Sequence, residues 1–144
     1  MSISRQRGIP SIKDTERVDR LKGVIEALCE INTIIPVIVE GKKDAAALRR
    51  LGLVGEIITL HNGKSLYDFC TDITERFHRV IIMPDWDEKG ESLNKAISKH
   101  LRGHWEEFSS FRVLLKMLCQ KDINDIEGIP KLIRRLEGDE SPWC

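Results

Sequence analysis

Long apolar runs are missing from this sequence. The longest, Ile34 to Val39, holds six residues and includes Pro36, against the roughly 20 that a membrane helix needs, so no membrane span is expected. Neither sign of charge is in excess: 23 lysines and arginines balance 23 aspartates and glutamates, which excludes a bulk polycation. Any grip on nucleic acid must therefore come from a local patch. Cysteine is sparse, and Cys29, Cys70, Cys119 and Cys144 lack C-x-x-C spacing, which argues against a zinc site built from local pairs. Residues 1–10 carry Arg5 and Arg7 but no apolar stretch of the secretory kind, so reduced thiols and a cytoplasmic location are expected. Internal repeats and low-complexity tracts are also absent.

What remains suits a folded domain. With 144 residues, 41% hydrophobic and 32% charged, the chain can build one core. Residues 1–13 hold Arg5, Arg7 and Lys13 without an acid and read as a basic arm or a frayed end. Ser11-x-x-Asp14 has the form of a capping box, and Val18, Leu21, Ile25 and Leu28 predict an amphipathic helix over 14–31. The β-branched run 34–39 predicts a buried parallel strand with Pro36 near its start. A helix over 42–51 stops at Gly52; a strand over 56–60, an Asn62-Gly63 turn and a helix over 64–77 follow. A strand over 79–83 and a helix over 88–101 repeat the alternation, which implies right-handed crossovers and a parallel sheet covered on both faces. Beyond Gly103, Phe108, Phe111, Leu115 and Leu118 favour a helix over 109–119 in place of a fourth strand, and Pro130 opens a last helix over 130–137. The expectation is an α/β domain with a parallel sheet of three to four strands and an added N-terminal helix. It divides into an arm and helix at 1–33, a core at 34–102, and a helical extension at 103–144 that completes the same domain.

Two acidic motifs fall at strand ends: Glu40-Gly41-Lys42-Lys43-Asp44 after the first strand and Asp85-Trp86-Asp87-Glu88-Lys89-Gly90 after the third. Carboxyl ends of parallel strands share one edge, so residues 45 apart in sequence converge there. In extended chain, Asp85 and Asp87 point to one side and Trp86 to the other. Asp44 lies in a first helical turn, where the dipole favours a carboxylate. Several facing carboxylates raise one another's pKa, a conflict that a hard divalent cation removes. Mg²⁺ suits this role because it takes oxygen ligands and is held by one or two carboxylates, waters and substrate phosphates.

The strings IVEGKKDAAAL at 38–48 and DWDEKG at 85–90 together resemble the Toprim domain of topoisomerases, bacterial-type primases, nucleases and recombination proteins. The resemblance spans about 34–101 and implies a Rossmann-like fold. It also implies Glu40 as a general acid or base, Asp85 and Asp87 as Mg²⁺ ligands (Mn²⁺ being possible), and Asp44 as a further acid of primase-like members. Gly41 and Gly90 match the motif glycines. A later acidic motif of those members has its candidate in Lys121-Asp122-Ile123-Asn124-Asp125, where Asp122 equally reads as a turn residue.

The implied chemistry acts on nucleic-acid phosphodiesters with Mg²⁺. A nuclease on RNA or DNA is the first reading. The alternatives are a primase-like nucleotidyl transferase and a non-catalytic nucleic-acid- or protein-binding module. Lys42, Lys43 and Lys64 are the candidate phosphate contacts; Gly63-Lys64-Ser65 is not a P-loop, because Ile58 stands where its first glycine belongs. Trp86 reads as a packing residue or a base-stacking one, and His61, His78, His100 and His104 as surface residues. The single tyrosine, Tyr67, falls inside a helix, and the chain has no room for a topoisomerase strand gate.

Overall fold

The computed structural model describes residues 12–60 and 63–138. Arg5, Arg7, Ser11, His61, Asn62 and Cys144 lie outside the described residues. The order of elements is α1 (Ile12–Asn32), β1 (Val37–Val39), α2 (Lys42–Arg50), β2 (Ile57–Thr59), α3 (Leu66–Arg76), β3 (Ile81–Ile82), α4 (Glu88–His100), α5 (Ser109–Cys119) and α6 (Ile129–Glu137). Short 3-10 turns at Glu106–Phe108 and Ile126–Gly128 precede the last two helices.

The sheet is parallel, in the order β2-β1-β3, with Val37 opposite Ile57 and Ile81. Alternation along the strands divides the core. Val37, Val39, Ile81 and Met83 face α1, α2, α5 and α6 in one buried cluster. Ile38, Val80 and Ile82 face α3 and α4 in the other. The fold is thus an open α/β sheet with helices on both faces. Leu21, Ile25 and Leu28 of α1 and Leu132, Ile133 and Leu136 of α6 share the first cluster, so both flanking segments close the same core as the strands. Glu137 pairs with Lys22, and Asp122 accepts from Arg17 and Arg135 at 2.8 and 2.6 Å, tying α1, the 120–125 segment and α6 together.

Residues 109–119 are helical, so no fourth strand extends the sheet among the described residues. Strand boundaries depart from expectation: of the strand expected over 79–83 only Ile81–Ile82 is strand. Residues 34–36 are a turn, not strand: Ile34 and Ile35 donate to Ile31 O at the end of α1, and Ile34 is 76% exposed. Capping of the preceding helix outcompetes the β-branched pattern there. Pro36 still contributes its carbonyl, which accepts from Ile81 N at 2.9 Å. Among the described residues no helix is long and apolar enough to cross a membrane.

Candidate metal centre

Glu40 follows β1 directly and is 8% exposed. Its Oε2 accepts the backbone N–H of Asp85, which lies just beyond β3, at 2.8 Å. This bond joins the two strand-end motifs across the carboxyl edge of the sheet. Asp44, at the third position of α2, turns back and accepts from Gly41 N at 3.3 Å, which holds it over the same edge at 7% exposure.

Asp85 is held from several sides. Its Oδ1 accepts from Ile126 N at 3.0 Å. Its carbonyl accepts from Arg112 at 2.6 Å, while the same guanidinium donates to Pro84 O at 2.8 Å and Glu91 Oε1 at 3.2 Å. Arg112 is 7% exposed, an arginine from α5 set beneath the loop. Gly90 completes the seat, since a Cβ at that position would stand 2.0 Å from Asp85 O. Trp86 is buried, with its N–H groups donating to Asn124 O at 2.9 Å and, from the ring, to Ile123 O at 2.7 Å. Its role is packing, and it fastens the 123–126 segment to the loop.

That segment brings a further acid. Burial, opposed by the Ile126 N–H, and then the negative charges of Asp44, Glu40 and Asp125 push the Asp85 carboxyl up to about 7. Burial, opposed by the Gly41 N–H, also raises Asp44, with Glu40, Asp125 and Glu127 adding to it. Among the described residues none of Glu40, Asp44, Asp85 and Asp125 has an ion-pair partner. Asp87, by contrast, is exposed and caps α4, its Oδ1 accepting from Gly90 N at 2.6 Å. Lys42 and Lys43 are exposed on α2 beside the edge. Lys64 pairs with Asp72 on α3 at 3.0 Å. Asp122 is engaged by Arg17 and Arg135, away from the acids, so Asp125 is the member of the 121–125 stretch that faces them.

The donor set is all carboxylate oxygen, which fits Mg²⁺. Among the described residues no three His, Cys, Asp or Glu side chains gather closely enough to enclose a metal ion unaided. A hard cation that keeps waters and takes phosphate oxygens does not require such a cage. The described histidines are engaged elsewhere: His104 meets His78 O at 2.9 Å, and His100 lies edge-on to Tyr67.

Sequence reading missed Arg112, whose only local signal is a cation on the inward face of an amphipathic helix. It reached Asp125 only as one of two candidates.

Set against known proteins, the Toprim-domain family matches residues 36–118. The UPF0292 protein of Thermococcus sibiricus is 35% identical over 124 residues, covering 85% of this chain and 95% of that one. The chain is a Toprim protein of the UPF0292 group. Another UPF0292 protein, from Thermoplasma volcanium, is 42% identical to this Toprim protein over 72 residues, covering 50% of this chain and 60% of its own. A solved structure from Aquifex aeolicus superposes with a TM-score of 0.62 at 28% identity, covering 74% of this Toprim chain and 95% of that chain. Membership of the Toprim family carries a general association with nucleic acid and with Mg²⁺ bound through acidic residues.

Proposed function

We propose that this Toprim protein is a Mg²⁺-dependent nuclease acting on RNA or DNA, with the acidic strand edge as its reaction centre. The observation that carries the reading is the crowding of Glu40, Asp44, Asp85 and Asp125, joined by the Asp85 N–H to Glu40 bond and without an ion-pair partner among the described residues, with Asp85 raised to about 7. Such a cluster opposes folding when ionised and becomes favourable when a cation binds. A bound Mg²⁺ would supply charge neutralisation and orientation of the phosphodiester.

The residues divide the remaining work. Asp85 and Asp87 would hold the ion, Asp87 having Oδ1 already engaged in capping α4. Asp44 offers a further oxygen. Glu40 moves the proton: the Asp85 N–H fixes its Oε2 and thereby aims the carboxylate, leaving Oε1 for transfer. Lys42 and Lys43 contact backbone phosphates, while Lys64 contributes less because Asp72 already engages it. Gly41 and Gly90 support the loops, and residues 34–102 carry the reaction edge apart from Asp125, with α1 and the 103–138 segment packed around it.

The test is cleavage of structured RNA, single-stranded DNA and duplex DNA with Mg²⁺, Mn²⁺ or EDTA. Metal-dependent cutting that disappears in Glu40→Gln supports the reading. No cutting of any substrate by wild type overturns it, as does cutting that Glu40→Gln retains.

A further inference from the structure

A second charged surface lies along α4. A groove of about 650 Å³ is walled by Lys95, Lys99, Arg102, Ser98 and Trp105, with Glu91 at the end nearer the acidic edge. Lys95 and Lys99 sit one turn apart on α4, and Arg102, in the turn just beyond the helix, lines the same groove. All three are exposed, and none has an ion-pair partner among the described residues. Glu91 does not cancel them, because Arg112 and Lys116 already compensate it. Glu106 feels Arg102 only at longer range, its carboxylate being occupied by the Gly103 N–H at 2.9 Å. The groove is therefore cationic.

One further feature points to a ligand. Trp105 is half-buried at the C-terminal end of the groove, where its ring N–H donates to Ser98 O at 2.9 Å and fixes the indole in the wall. A row of cations that tracks a backbone, with an aromatic ring beside it, is how proteins hold single strands without reading sequence.

We propose that a single-stranded segment of nucleic acid flanking the reaction centre lies in this groove, its phosphates on Lys95, Lys99 and Arg102 and a base against Trp105. This rests on the nucleic-acid part of the function proposed above. The geometry relates the two places. α4 starts at Asp87's cap, and from Glu91 to His100 it rises about 14 Å at 1.5 Å per residue, with Arg102 in the turn just beyond it. A strand entering at the acids thus has a charged track leading away from them. The substrate class that follows is one with a single-stranded overhang or tail beside the cut, not a blunt duplex.

The test is binding of a fluorescein-labelled 12-nucleotide single strand and of a blunt duplex of equal length, in EDTA so that nothing is cut. The variant carries Lys95→Gln, Lys99→Gln and Arg102→Gln, all exposed positions on α4 or in the turn that follows it. Single-strand affinity at low salt should fall about tenfold or more. The slope of log affinity on log salt should shrink by about 2, since each single-strand phosphate contact contributes roughly 0.7. Trp105→Phe, which keeps the packing, should weaken single-strand binding several-fold and leave duplex binding unchanged. Equal affinity and equal slope in the triple variant overturn the groove, and so does a preference for blunt duplex that depends on the same three residues. Binding through the groove by a protein that cuts nothing leaves the groove standing and removes the nuclease. Cutting by a triple variant with undiminished binding does the reverse.

Discussion

The backbone N–H of Asp85 donates to the carboxylate of Glu40 at 2.8 Å, so the two acidic motifs of this chain are fastened by a charged hydrogen bond, not merely adjacent. The bond makes Glu40 an orienting group as well as a charge, and the two roles separate by substitution.

Glu40→Gln keeps an oxygen to accept from Asp85 and removes one negative charge from the cluster. The fold should be as stable as wild type or more so at pH 8, by urea unfolding. Turnover should fall by about 10²–10⁴, the range for loss of a general acid or base. Glu40→Ala should lose stability as well, because it leaves the Asp85 N–H without its partner.

Stability should decline as pH rises through the cluster's titration. With its carboxyl at about 7 in the fold and an ordinary value of 3.8, Asp85 binds a proton more tightly folded than unfolded. Protons therefore favour the fold, and its stability falls from about pH 4 to 7. Asp44, also raised, acts in the same direction. Thermal unfolding at pH 5, 6, 7 and 8 should show the fall, Asp85→Asn should flatten it, and Mg²⁺ should offset it at pH 8. A midpoint that climbs across this window for wild type would contradict the assignment.

The two motif glycines should respond differently. At Gly41 a Cβ would meet nothing within 4 Å, and φ is −150°, so Gly41→Ala should be close to neutral. At Gly90 the same atom would sit 2.0 Å from Asp85 O, so either α4 or the loop must move. Gly90→Ala should cost about 1–3 kcal/mol in urea unfolding and weaken Mg²⁺ binding by calorimetry.

Removing Arg112 should be costly out of proportion to its lack of sequence signal. Arg112→Met fills similar volume but strips donors from the carbonyls of Pro84 and Asp85. A loss of about 3 kcal/mol is expected, with Arg112→Lys intermediate because an ammonium cannot reach all three acceptors as the planar fork does. A change below 0.5 kcal/mol in the Met variant would show that the loop holds itself.

Glu40 and Asp85 were legible because strand-end position is a local property: an apolar β-branched run followed by an acid announces it. Helix α5 was legible for the same reason, since Phe108, Phe111, Leu115 and Leu118 carry the helical period whatever they pack against. What the pattern could not show is how α5 and the 120–128 segment lie against the sheet. Arg112 reaching Pro84, and Asp125 facing Asp44, depend on that placement across 27 residues and more. The turn at 34–36 was misjudged for the opposite reason. Its residues look like strand, but two of their N–H groups close the end of α1.

The clasp between Lys22 and Glu137 joins residues 115 apart, and the partner faces of α1 and α6 are among the most deeply buried in the chain. On a ribosome adding about 5–20 residues per second, α1 waits roughly 10 s for α6, the last of the elements that pack on it. Throughout that interval Leu21, Ile25 and Leu28 have only the earlier elements, β1, α2 and then α5, to pack against. Asp125, positioned just ahead of α6, arrives late as well, so the acidic edge gains its last charge only as the domain closes. Synthesis order thus defers the cluster's full repulsion until most of the core is present to oppose it.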